Sequence, residues 1–267
     1  MISQEFLYNH SSVAITAALF LLILLFNEIG FHIGRYVQGR TSNEIKSLTG
    51  SIQASILGLL ALLLGFTFNM SMQRYDHRNQ ALIEEANSIG TAVLRAELLP
   101  AVHRDAVSEK LKQYIELRIA ISGVDLTHQA ERKQYNQQIA ALQGELWSLA
   151  VLATQDDPRP VTTGAFVKAL NDLIDSQSKR NALLQMHVPE VVLFLLFIVF
   201  IASGGILGYS SGLSSKRVVA PAALVSFLIA LIVFIIIDLD RPKRGLIQVD
   251  QAIMLELRQD TPKPVLN

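Results

Sequence analysis

Four separate apolar runs, each close to the ~20 residues a helix needs to cross a bilayer's hydrocarbon core, constrain this chain more than any other feature. They occupy residues 13–34, 51–72, 188–209 and 218–237. Inside lipid no water satisfies the backbone, so an apolar run of this length is read as a spanning helix. A soluble helix of that length would carry a polar stripe. The third and fourth runs, VVLFLLFIVFIASGGILGY and APAALVSFLIALIVFIII, carry almost none. The expected fold is therefore all-α: an integral membrane protein with four transmembrane helices and a helical soluble insert.

The apolar surplus is local. Residues 74–187 read like an ordinary water-soluble protein, although charged residues make up only 17% of the chain, below the roughly 25% of soluble domains. The expected organisation is 1–75 for the first two spans and 76–187 for the insert. Residues 188–240 then hold the last two spans, and 241–267 form a soluble tail. The first run is read as a retained helix: MISQEFLYNHSS has no Lys or Arg and includes Glu5, so a signal peptide's basic start is missing.

The second run passes into QRYDHRNQALIEEANSIGTAVLRAELL without a proline before Pro100. A single helix over residues 51–99 would be roughly 70 Å long at 1.5 Å per residue. Helical faces continue beyond it: Val107, Leu111, Tyr114 and Ile121, then Ile139, Leu142, Leu146, Leu149 and Ala153, then Phe166, Leu170, Leu173 and Leu184. Residues 123–127 and 156–163 break the pattern, with Thr127 or Thr163 as candidate caps. Glu84, Glu85, Asp105, Glu109, Lys110, Glu131, Arg132 and Lys133 are expected on the insert's surface. After the last span, Ile247, Ile253, Leu255 and Leu257 suggest a short amphipathic helix, and Pro262 and Pro264 a frayed end.

Chemistry-bearing signatures are sparse. There is no HExxH, GxSxG, Walker loop or GxGxxG, and the six histidines are scattered. No enzyme activity, cofactor or metal site is expected, and the absence of cysteine excludes thiolate ligands. Charge is balanced at 23 basic and 23 acidic residues, which provides no field for nucleic acid. Glu28 and His32 stand at i,i+4 on one helical face. An intramembrane acid is a functional candidate by default, although a position near the end of the first span is the simpler reading. Gly30 with Gly34, and Gly204 with Gly208, form two GxxxG pairs suited to close helix packing. Gly58 and Gly65 on the second span mark either a narrow contact or a widened wall. The DLDRP at 238–242 reads as an interface anchor. Basic residues near span ends favour, narrowly, a cytoplasmic insert and termini.

The string LGFTFNMSMQRY at 64–75 resembles the end of the second transmembrane helix of bacterial bestrophins, where L-G-F-x-x-N-x-S-x-x-R-W leads into a long cytoplasmic helix. EEANSIGTAVLRAELLP at 84–100, HVPEV at 187–191 and DLDRPKRGLIQV at 238–249 are similar to recurrent features of a bestrophin-like family of uncharacterised bacterial membrane proteins. The resemblance implies a multi-pass protein of the bacterial inner membrane, homo-oligomeric and pentameric, passing small anions. It also implies a hydrophobic neck on the second helix at Phe66, Leu62 and Gly58. A glycine at the third neck position, and Tyr75-Asp76 in place of paired tryptophans, depart from the bestrophin pattern. Arg74 and Arg78 are candidates for attracting anions at the mouth. A non-conducting scaffold or sensor whose insert binds a cytoplasmic partner stands beside the channel reading, as does a proton-coupled carrier using Glu28 and His32.

Overall fold

The computed structural model describes residue 7, residues 10–215, residue 217 and residues 219–260. Among them all regular structure is helical: α1 (Ser12–Val37), followed by a 3-10 turn (Gln38–Arg40), α2 (Asn43–Ala96), α3 (Ala101–Ser122), α4 (Gln129–Asp156), α5 (Thr163–Gln185), α6 (Glu190–Leu213), α7 (Val219–Leu239) and α8 (Ala252–Asp260). Four of these helical stretches are long and apolar enough to cross a membrane: those containing α1, α2, α6 and α7. The expected all-α membrane architecture is the one observed. The chain divides into two compact units, one of residues 1–74 and 187–241, the other of residues 75–186 and 242–267.

The first unit is built on a close pairing of α1 with α6. The two glycine pairs found in the sequence belong to one contact, in which the backbones replace side chains. A Cβ on Gly30 would stand 2.0 Å from the Gly205 carbonyl oxygen, and one on Gly34 2.2 Å from that of Tyr209. Small residues are needed there because the helices approach more closely than any side chain permits. Asn27 Nδ2 adds a bond to the Gly204 carbonyl at 3.2 Å. Leu19, Ile23, Leu60, Leu196, Phe200 and Val233 fill the space around the pair. Ser11 caps α1, its hydroxyl accepting from Ala14 N at 3.0 Å.

The DLDRP segment has a larger role than an interface anchor. Asp240 Oδ2 accepts from Val188 N at 3.0 Å, just before α6 begins. The Arg241 guanidinium donates to the carbonyls of Leu7, at 2.5 Å, and His10. Leu7 N in turn donates to Glu190 Oε1 at 2.6 Å. The chain before α1, the start of α6 and the end of α7 are thereby tied together.

The second unit is a helical bundle with an apolar centre. The inward faces are those that periodicity marks: Val107, Leu111, Tyr114 and Ile121 of α3, Ile139, Leu142 and Leu146 of α4, and Phe166, Leu170 and Leu173 of α5 are buried. Each such side chain contributes roughly 1.5–3 kcal/mol by leaving water. Residues after Pro242 join this core through Val249 and Met254. α8 begins later than the sequence suggests, so Ile247 precedes it, and Leu255 is exposed while Ile253 and Leu257 pack inward. Pro262 and Pro264 lie outside the described residues.

Two expected caps are corrected. Thr127 Oγ1 donates to Asp125 Oδ1 at 2.9 Å, and α4 starts after His128. Thr163 Oγ1 donates to the Asp157 carbonyl at 2.5 Å, and α5 follows Thr162. The α4–α5 turn is organised by Asp157, which accepts from Arg159 Nε at 2.7 Å and Thr162 Oγ1 at 2.6 Å. Bonds from Arg159 and Thr162 hold the Asp157 carboxyl well below the usual carboxylate range.

Candidate functional site: the open face of α2

Of the four spans, α2 is the least covered by its own chain. Only 11% of its most apolar stretch is buried, against 39% for α7. Phe66 is 64% exposed and Leu62 55%. Gly58 has open space where a Cβ would go. These three residues, four apart, share a helical stripe that continues through Asn69 and Gln73, both exposed. The stripe therefore runs from apolar to polar along one continuous face. The opposite face is buried and includes Leu60, Thr67 and Ser71. Thr67 Oγ1 returns its hydrogen to the Leu63 carbonyl at 2.8 Å.

The two arginines do not share the stripe. At 100° per residue, Arg74 lies about 120° and Arg78 about 160° around the axis from Leu62. Arg78 is 2% exposed, and its guanidinium donates to the carbonyls of Leu183, at 3.2 Å, and Met186, at 2.5 Å. It closes the C-terminal end of α5, where carbonyls lack helical partners. Its expected place at an open mouth is thus corrected. Arg74 is half-buried and its Nε is enclosed without an acceptor, as is the Ser71 hydroxyl one turn earlier.

Glu28 and His32 are brought together with a partner that periodicity did not indicate. His32 Nε2 is 3.2 Å from Glu28 Oε1, and Arg217 Nη2 donates to the same oxygen at 2.5 Å. The Arg217 guanidinium also stands 5.4 Å over the Phe31 ring. Arg217 precedes α7, so no spacing rule links it to α1. Both members of the original pair are more than 40% exposed near the end of α1. This is the geometry of an exposed ion pair.

The second unit contains a charge cluster missed in the sequence. Glu85, expected on the surface, is fully buried. It accepts from Arg118 Nε at 2.5 Å and Arg180 Nη1 at 2.7 Å. A signal existed: Glu85 falls on the face of Leu82 and Ile89, three before and four after it. Its neighbour Glu84 behaves as expected, pairing with exposed Lys179 at 2.6 Å. Among the described residues, no group of three or more His, Cys, Asp or Glu side chains forms a metal-binding cluster.

The family model for the bestrophin-like domain matches residues 20–254. The chain belongs to the bestrophin-like family. Solved bacterial bestrophin homologs from Klebsiella pneumoniae share the fold. A tryptophan-to-alanine variant is 16% identical, with a TM-score of 0.64 covering 95% of this chain and 97% of that one. A tyrosine-to-alanine variant is also 16% identical, with a TM-score of 0.63 and coverage of 91% and 96%. A solved membrane protein at 14% identity gives a TM-score of 0.62 over 94% of this chain and 98% of its own. No curated protein sequence matches the chain. At these identities the structures establish the bestrophin fold, and membership of a bestrophin-like membrane family comes from the domain match.

Proposed function

We propose that this bestrophin-like protein assembles as a homo-oligomer, a pentamer, and passes small anions through an axial pore lined by α2. It resides in the bacterial inner membrane with both termini and the helical insert in the cytoplasm. Phe66 and Leu62 form the constriction, with Gly58 widening the wall one turn away. Arg74, next in sequence to Gln73 at the polar end of the stripe, raises the local anion concentration at its mouth.

The observation that carries this reading is the uncovered α2 stripe of Gly58, Leu62, Phe66, Asn69 and Gln73. Lipid suits its apolar half but not the two amides beyond it, whereas a pore wall accommodates both. A ring of Phe66 and Leu62 side chains gates by dewetting. The test is halide flux into liposomes containing purified protein, with Phe66→Ala in parallel. Protein-dependent flux that changes in the variant supports the neck, and equal flux in both removes Phe66 from it. No flux from vesicles containing assembled oligomer favours the scaffold or sensor reading.

A further inference from the structure

The core of the helical unit contains more positive than negative charge, and one of its guanidiniums is incompletely bonded. Among the described residues, Glu85 is the only carboxylate that hydrogen-bonds Arg118 or Arg180, and all three are at most 4% exposed. Arg180 Nη2 donates onward to Gln251 Oε1, a neutral acceptor, at 2.7 Å. Arg118 is 1% exposed, yet its Nη1 is enclosed with no acceptor. A buried N–H of a charged group left without a partner is costly, and a buried charge in excess is costlier.

Further positive charge lies close by. Lys243 Nζ donates to the Ile121 and Val124 carbonyls at 2.9 and 3.3 Å, where α3 ends. Arg132 Nη1 donates to the same two carbonyls. Arg244 Nε lies 3.3 Å from Asp125 Oδ2. Burial first, and then Arg132, Arg180 and Arg118, push the Lys243 ammonium down to about 7, with Asp125 opposing.

A water molecule at Arg118 Nη1 would complete the hydrogen bond and leave the charge unbalanced. An anion does both. We propose that Arg118, with Arg180 beside it, holds a small monovalent anion of halide size in the core of the helical unit. The excess of one positive charge on the Glu85 cluster, two guanidiniums on one carboxylate, sets the valence. The site is separate from the α2 stripe and does not depend on whether the protein conducts.

The test is thermal unfolding of the full chain in mild detergent, in chloride and in gluconate at equal ionic strength. A ligand that binds only the folded form raises Tm with concentration and saturates. Chloride at a few tens of times its dissociation constant gives a rise of roughly 4 °C. Arg118→Met, which leaves Glu85 paired with Arg180, flattens that response. Equal Tm in the two salts overturns the proposal, and so does a chloride response that persists in Arg118→Met. Should that variant not fold, a wild-type crystal grown in bromide decides. An anomalous peak within hydrogen-bonding distance of Nη1 confirms the site, and a water there overturns it. Loss of halide flux with an intact chloride-dependent Tm separates this site from the pore reading.

Discussion

Gly208 of α6 lies so close to Asn27 of α1 that a Cβ on it would stand 1.8 Å from the Asn27 carbonyl oxygen. The obstructing atom is backbone, which cannot rotate aside. Gly208→Leu therefore forces α1 and α6 apart and costs about 3 kcal/mol or more. Thermal unfolding in detergent measures this directly, with Gly58→Leu as the control. Gly58 has nothing within 4 Å, so the control keeps the wild-type stability of the single chain.

Gly58→Leu has a second consequence. On the proposed pore it restores a bulky side chain one turn from Leu62 and narrows the neck. Halide flux falls on the order of tenfold, because a longer apolar constriction dewets more readily. Flux equal to wild type places the neck elsewhere on α2.

Removing Glu85 leaves Arg118 and Arg180 facing each other without their shared acceptor. Glu85→Ala destabilises the protein by about 3–5 kcal/mol, the usual cost of breaking a buried pair from one side. Glu84→Ala, which breaks the exposed pair with Lys179, costs less than about 1 kcal/mol. Denaturant titration of the two variants side by side separates a core carboxylate from a surface one that adjoins it in sequence.

Lys243 makes stability depend on pH in a defined window. Its folded pKa, about 7, is below the ordinary lysine value near 10.4. Between these values the unfolded chain binds a proton that the folded chain does not, so stability rises with pH across this window. Below about pH 7 both forms are protonated and the burial penalty is present in full. Lys243→Met removes the slope. Tm measured from pH 7 to 9.5 in both proteins checks it, below the range where Tyr114, pushed upward chiefly by burial, begins to matter.

Arg217 and Glu28 form a pair whose loss has a small effect on folding. Both are more than 40% exposed, so Glu28→Gln changes stability by less than about 1 kcal/mol. A proton-coupled carrier would lose its transport in that variant. Flux that is unaltered and insensitive to an imposed pH gradient removes the carrier reading.

The sequence by itself determined the four spans, because length and uninterrupted apolarity are local properties that a bilayer reads directly. It also determined the buried faces of α3, α4 and α5, since a 3.6-residue period shows which side chains share a face. The glycine pairs on α1 and α6 were visible one helix at a time, but their meeting was not. Pairings between distant segments were decided by the tertiary structure alone. Arg217 reaches Glu28 from a loop, Arg241 reaches the carbonyls of Leu7 and His10, and Lys243 reaches the end of α3. The residues after 241 enter the second unit's core because Val249 and Met254 fill it, which no local pattern specifies. Glu85 shows the reason most directly. A carboxylate on an apolar face is legible as an anomaly, but only packing supplies the two guanidiniums, 33 and 95 residues away, that make its burial tolerable.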